Sequence, residues 1–306
     1  MATLTELQSL EEISYKSKIK IYFYPLIFLI LFPIAFLNFY PVGTELKEFL
    51  KKNLASTGCN LDYKDVNVEF ILPKLVISDL VLPARCLGRT GDALKFDFLT
   101  VNFHFISFAP FGVPFRIDTQ MNGQPLSLYY VQGFSQRMVR LKDQKINLAK
   151  LQPILGETVK LAGNVTVDMS ALLSNNNAMK SVNLKAQSKD FVLPPQSIEG
   201  FTTPKMKVND LYVEANGDNP PLVLVEKLIV GDTDSPLRAN FKGRIEVQQG
   251  NIAMSQMNLT GEVAFSSEFK ETVPIVDMVF GKFTQKDGFY QIKLGGTLGR
   301  PLMLNP

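Results

Sequence analysis

Three kinds of hydrophobic pattern follow one another along the chain. From Ile21 through Thr44 there is no charged residue, and Ile21 to Tyr40 is almost wholly apolar. About 20 residues rising 1.5 Å each cover a hydrocarbon core of roughly 30 Å, so Ile21 to Gly43 predicts a membrane-spanning helix. A short helical period comes next. Leu46, Phe49, Leu50 and Leu54 fall on one face, Thr44 can cap the start and Gly58 lies past the end, which predicts an amphipathic helix from about Glu45 to Ser56. From Leu61 onward the dominant period is two.

The clearest alternation is Leu237 to Val247, where odd positions are apolar or glycine and even positions are Arg, Asn, Lys, Arg and Glu. Val159 to Met169 repeats it. Strands are also expected over Leu61 to Ile71, Lys74 to Leu82, Leu94 to Phe105, Phe115 to Met121, Leu126 to Val131, Val182 to Val192, Val208 to Ala215, Leu222 to Val230 and Phe289 to Leu298. One apolar and one wet side per strand belongs to antiparallel sheets. A phase slip between Phe98 and Val101 reads as a bulge. Turns are expected at Leu72-Pro73, Asn122-Gly123, Asn216-Gly217, Gly231-Asp232 and Asp287-Gly288, and a solvated loop at Ser174 to Asn177. Later helical signals are two: Leu148, Leu151, Ile154 and Leu155, near which two strand-rich halves meet, and Ile275 to Val279 after Pro274.

These elements define a mainly β chain. A cytoplasmic tail (1–20) and the membrane helix (21–43) precede a β-rich domain (44–306) built on a large, curved, predominantly antiparallel sheet, a groove or open sandwich with a few short helices. So few helices cannot cover a large sheet. The apolar face must therefore fold on itself or meet another apolar surface, either lipid or protein.

Flanking residues bear on the span. No Ala-x-Ala pattern follows it, so an uncleaved anchor is the better reading than a signal peptide. Tyr22, Tyr24, Phe39 and Tyr40 stand near its ends, where amphipathic rings favour headgroups. Lys16, Lys18 and Lys20 precede it and Lys47, Lys51 and Lys52 follow it at similar distance. The first three lie closer to the core, which places the N-terminus in the cytoplasm.

Composition narrows the function. A net charge of +3 over 306 residues is too slight for a nucleic-acid partner. The two cysteines, Cys59 and Cys86, allow one bridge or two buried thiols; closing a loop of about 28 residues would contribute roughly 3–4 kcal/mol. Phosphate-binding glycine loops, Gly-x-Ser-x-Gly and Cys-x-x-Cys are all missing from the sequence. The single histidine, His104, reads as the polar-side residue of a strand. Asp232-Thr-Asp234 reads as a turn rather than a cation site, and Asp65, Asn67 and Glu69 as a solvated face. Arg137, Arg140, Lys142 and Lys145 read as an exposed loop, with attraction of acidic headgroups or a partner as the alternative. Asn164-Val-Thr166 and Asn258-Leu-Thr260 match the glycosylation pattern but fall in expected strands. No catalytic residue, cofactor or metal site is expected.

Three stretches carry a family resemblance: the N-terminal anchor, Asp97-Phe-Leu-Thr-Val-Asn-Phe-His-Phe-Ile-Ser-Phe-Ala-Pro-Phe-Gly112, and Leu294-Gly-Gly-Thr-Leu-Gly-Arg-Pro301 preceded by Ser235 to Val247. Together they resemble the type II secretion system protein N family, GspN, and more broadly the AsmA-like periplasmic proteins with a terminal Gly-x-Leu-x-x-Pro pattern. The resemblance implies a single-pass inner-membrane protein whose bulk lies in the periplasm, with a curved β-groove and no catalytic residues. Two roles are consistent with it. One is a non-enzymatic component of the type II secretion system, acting with other envelope or secretion-system proteins in assembly or docking. The other is an AsmA-like lipid-binding or lipid-transfer protein that carries phospholipid acyl chains in an apolar groove beside the lipid bilayer.

Overall fold

The computed structural model describes residues 61–305 apart from 70–73, 84–92, 105–106, 109, 152–159, 176–177, 199–200, 220 and 249–253, together with Phe32, Thr44, Glu45 and Glu48. Apart from Phe32, which is helical, the expected span with Ile21 and Tyr40 lies outside the described residues, as do Lys16, Lys18, Lys20, Cys59 and Cys86. Among the described residues no helix is long and apolar enough to cross a membrane. Thr44, Glu45 and Glu48 are helical where the short amphipathic helix was expected, and the rest of that helix lies outside the described residues.

Alternating sequence produces strand after strand. The first are β1 (Asp65–Glu69), β2 (Lys74–Leu82), β3 (Leu94–Phe103), β4 (Ser107–Phe108), β5 (Phe111–Met121), β6 (Gln124–Gly133) and β7 (Gln136–Asn147). A 3-10 turn, Leu148–Leu151, leads to β8 (Asn164–Ser174), β9 (Met179–Leu193), β10 (Gln196–Ile198), β11 (Phe201–Thr203), β12 (Met206–Asn219) and β13 (Leu222–Val230). Then come β14 (Leu237–Glu246), β15 (Gln256–Phe265), helices α1 (Ser267–Thr272) and α2 (Ile275–Phe280), β16 (Gln285–Lys286), β17 (Phe289–Thr297) and β18 (Arg300–Leu304).

All but β10 and β11 form one 16-stranded antiparallel sheet, ordered β1-β2-β3-β5-β6-β7-β8-β9-β12-β13-β14-β15-β17-β16, with β4 on β5 and β18 on β17. The path is open: among the described residues no pairing joins β1 back to the far end. Each strand pairs with its near sequence neighbour, so connections alternate between two rims. One rim carries α1, α2, the 3-10 turn and the β10–β11 hairpin. The opposite rim has strand connections and, at Met254 between β14 and β15, a residue in 3-10 conformation among its described residues.

The helical cap is held by specific contacts. Ser266 Oγ accepts from the Phe269 backbone N–H at 3.2 Å and starts α1. Phe265 meets Phe280 edge-on at 4.8 Å between centroids and lies over Phe269 at 5.8 Å. Lys270 Nζ donates to Tyr290 Oη at 3.0 Å, and Tyr290 Oη donates to Asp277 Oδ1 at 3.3 Å. The Tyr290 hydroxyl, more than the nearby Asp277 charge, raises the Lys270 pKa.

One seam interrupts the ladders. β6 and β7 pair directly only from Tyr129↔Arg140 to Gln132↔Arg137. Beyond that point a bulge in β7 between Leu141 and Gln144, with Asp143 at φ 45°, pushes the backbones apart. Side-chain amides replace the missing ladder. Gln124 Nε2 donates to the Lys145 carbonyl at 2.9 Å, and its Oε1 accepts from Asn147 N–H at 3.1 Å. Gln144 Oε1 accepts from Ser127 N–H at 2.9 Å. Gln124 is 7% exposed, so these bonds satisfy a polar group that would be costly to bury alone.

Several expectations change. The basic stretch Arg137, Arg140, Lys142 and Lys145 is strand β7 rather than a loop; its bulge shifts the phase of Val139, Leu141 and Ile146 and hides the alternation. Asn216-Gly217 is not a turn. Asn216 pairs with Asn183 and Leu224 inside β12. The bulge in β3 lies between Phe96 and Phe98, earlier than expected. The strand expected from Val159 starts at Asn164, because Gly163 at φ 106° breaks the extended backbone. The two halves are one continuous sheet, joined through β7 and β8.

Candidate functional site

Register and alternation sort every strand into the same two faces. On one face lie Val66, Ile77, Leu99, Ile117, Leu128, Val139, Met169, Leu184, Val213, Val225, Phe241, Leu259 and Ile292, one residue from each successive long strand. The other face carries Arg116, Arg140, Asp168, Lys185, Glu214, Lys242, Thr260 and Lys293.

Burial along the apolar face is uneven. Between β12 and β17 it is dry: Val225, Phe241, Leu259 and Ile292 are buried and pack with Phe283 and Tyr290. At the other end Val66, Ile77 and Leu80 form a small buried cluster. Across β6 to β9, Leu128, Val139, Leu141, Val167, Met169, Ala171 and Leu184 are only half-buried. This stretch of apolar surface is the candidate site. Its polar interruptions lie toward the rim opposite α1 and α2, where Tyr130 Oη donates to Gln132 Oε1 at 2.6 Å and Gln132 pairs with Arg137, and at the β7 bulge, where Gln144 pairs with Val167.

The polar face has several hollows, two of them over β5 to β12. One, of about 440 Å³, is lined by Asp143, Asp168, Lys185 and Glu214 among others and mixes both signs of charge. The second, of about 470 Å³, opens at the β6–β7 seam and is lined by Arg116, Ser127, Tyr129, Arg140 and Lys142. Asp118 reaches toward it, bound by Arg116 Nε at 3.0 Å and Ser127 Oγ at 2.6 Å. Arg140 and Lys142 make no ion pair among the described residues.

Residues singled out from the sequence take structural places. His104 is exposed, and its backbone N–H donates to the Pro114 carbonyl at 3.0 Å. Asp232 closes a turn: its carboxylate accepts from Ser235 Oγ at 2.6 Å, Asn209 Nδ2 at 3.0 Å and Asp234 N–H at 3.1 Å. The Ser235 bond, first among these, lowers its pKa. No three His, Cys, Asp or Glu side chains gather into a metal site among the described residues. Asn164 and Asn258 lie in β8 and β15, and Asn164 Nδ2 is spent on Asp190 at 2.6 Å. Asp65, Asn67 and Glu69 are exposed on β1.

The tail motif acquires a geometric meaning. Gly296, at φ 80°, pairs with Pro301 across the β17–β18 hairpin, and a Cβ there would stand 2.7 Å from the Arg300 carbonyl oxygen. Sequence reasoning did not find a row that crosses the polar face: Lys74 pairs with Asn102, Asn102 with Arg116, Arg116 with Tyr129 and Tyr129 with Arg140. Only strand register brings these cations into line. No family model, curated protein or solved structure matches the chain.

Proposed function

We propose that this is a non-enzymatic, membrane-tethered envelope protein that shields phospholipid acyl chains on the apolar face of its sheet. One observation carries the reading: every long strand gives apolar residues to the same face, interrupted in β6 and β7 by Gln132, Arg137 and Gln144, yet across β6 to β9 its apolar centre is left half-exposed and has no covering layer among the described residues. Phe241, Leu259 and Ile292 are deeply buried although the buried residues of the two helices, Phe269 and Val276, pack in a separate cluster with Phe191 and Val208, which favours a sheet curved into a groove, with this face inward. Each methylene that leaves water there contributes about 0.8 kcal/mol, so covering six would contribute roughly 5 kcal/mol. The width of β6 to β9, about 15 Å at 4.8 Å per strand step, accommodates a chain lying across them.

The test is crosslinking of the full-length protein in membranes with a phospholipid carrying a photoactivatable acyl chain, followed by peptide mapping. Adducts are expected on Met169, Leu184 and their neighbours in β8 and β9, and Met169→Asp with Leu184→Asp should remove them. Adducts confined to residues 21–43 would overturn the reading.

The type II secretion role is the second reading, and the edge strand β18 favours it. Leu302, Met303 and Leu304 are exposed there at 57%, 43% and 43%, beside a backbone edge suited to pairing with a partner's strand. A deletion strain that still secretes its exoproteins would remove this role.

A further inference from the structure

We propose that the hollow at the β6–β7 seam binds a phosphate group, carried by a soluble phosphate ester or by a lipid headgroup. It lies on the polar face, opposite the apolar surface, so the proposal does not rest on the acyl-chain reading. Three cations line it: Arg116 from β5, and Arg140 and Lys142 from β7, with Tyr129 and Ser127 on β6 between them. Register explains the gathering. Arg116 pairs with Tyr129 and Tyr129 with Arg140, which sets the two arginines two strand steps, about 10 Å, apart with an aromatic residue between them. Tyr129↔Arg140 is also the last pair before the seam. The bulge between Leu141 and Gln144, with Asp143 at φ 45°, then turns two successive side chains to the polar face, Lys142 into this hollow and Asp143 into its neighbour. Regular alternation would have sent one of them to the apolar face.

The donors around the hollow are unspent. Arg140, Lys142 and the Tyr129 hydroxyl make no hydrogen bond or ion pair among the described residues. Arg116 gives only its Nε to Asp118, at 3.0 Å, and keeps both terminal amino groups. Asp118 is in turn held by Ser127 Oγ at 2.6 Å and Asn102 Nδ2 at 3.2 Å, and it offsets one of the three positive charges. Asp143, Asp168 and Glu214 line the neighbouring hollow with Lys185. Geometry selects the anion. Arg116 stands on one flank, Arg140 and Lys142 on the other, and Tyr129 on the strand between, so the donors do not share a plane. A carboxylate offers two oxygens in one plane, whereas a phosphate monoester offers three around a tetrahedron and carries about −1.5 to −2 at pH 7, which matches the uncompensated charge. The volume of about 470 Å³ lies within the roughly 300–1,000 Å³ of small-molecule sites, so the group to which the phosphate is bonded fits as well.

The test is calorimetric titration of the full-length protein in dodecyl maltoside micelles with glycerol 3-phosphate. Saturable binding is expected, and Arg140→Gln with Lys142→Gln should weaken it at least about tenfold. Both side chains are exposed, so the melting temperature should hold. If that double variant loses its cooperative melt, Lys142→Gln alone still tests the site and should weaken binding severalfold. Lys185→Gln, in the neighbouring hollow, should leave binding unchanged. So should Met169→Asp with Leu184→Asp on the opposite face, which makes this proposal and the acyl-chain reading fail separately. Dihexanoyl phosphatidylglycerol distinguishes the sources: tighter binding than glycerol 3-phosphate, lost in Arg140→Gln with Lys142→Gln, assigns the phosphate to a headgroup, and weaker binding assigns it to a soluble ester. The proposal is overturned if neither probe binds saturably, if malonate binds as tightly as glycerol 3-phosphate, if Lys185→Gln weakens binding equally, or if binding survives the loss of both Arg140 and Lys142.

Discussion

At the scale of single residues, stability rests on a few side chains whose partners lie on other strands. Asp190 accepts from Asn164 N–H at 2.9 Å, Asn164 Nδ2 at 2.6 Å and Ser188 Oγ at 3.1 Å, tying β9 to the start of β8. The Asn164 backbone bond is the main cause of its lowered pKa. Because the folded value lies below 3.8, this stabilisation is complete above that pH and is lost as pH falls through the folded value. Melting temperature should therefore fall as the pH drops below 3.8, and Asp190→Asn should flatten that acid limb; the carboxylate is exposed, so its contribution is less than about 1 kcal/mol. Tyr290 is 6% exposed and makes two hydrogen bonds at the helical cap. Tyr290→Phe should cost about 1–2 kcal/mol in urea denaturation, with faster amide exchange in α1 and α2. Gly296→Ala, forced into positive φ against the Arg300 carbonyl, should cost about 1–2 kcal/mol and release β18 from β17, seen as lost exchange protection over residues 300–304.

At the scale of elements, the β6–β7 seam has the shortest ladder between long strands, four residue pairs, and two glutamines stand in for the rest. Gln124→Leu with Gln144→Leu leaves Ser127 and Asn147 N–H groups without their acceptors, at about 1–3 kcal/mol each where buried. Hydrogen exchange should rise over 124–128 and 142–147 while Tyr129 to Gln132 keep their protection; a uniform rise across the sheet would sink the idea. Strands with regular alternation were legible in the sequence, and Lys74–Leu82 and Leu222–Val230 match their expected limits. Where a bulge breaks the alternation, as in β7, composition suggested a loop, because Arg, Lys and Asp on the wet side outweighed Val139 and Leu141. Short elements were equally hidden: α1 contains one buried residue, Phe269, too few to define a helical face. Of the candidate site, the apolar positions could be read strand by strand, but their half-exposure over β6 to β9 could not. The Lys74–Arg116–Arg140 row could not be read either, since it arises from pairings between distant segments.

At the scale of the whole molecule, a sheet made of sequential antiparallel neighbours behaves as a nearly one-dimensional stack. Its buried apolar side chains form separate clusters, one around Val66, Ile77 and Leu80 and another around Phe241, Leu259 and Ile292. Contacts in one cluster do little for the other, so the ends should open independently. Ile77→Ala should raise amide exchange in β1 to β3 and leave β13 to β15 protected; Ile292→Ala, at a position 1% exposed, should cost about 2–5 kcal/mol and do the reverse. The sequence by itself determined the β character, the antiparallel pairing and the apolar side of most strands, because a period of two dictates which side chains share a face. Only the tertiary structure decided the order of the strands, the open path, the α-helices gathered at one rim and the line of cations across the polar face. Those features depend on which distant segments pair and in what register, and alternation within one strand carries no information about its partner.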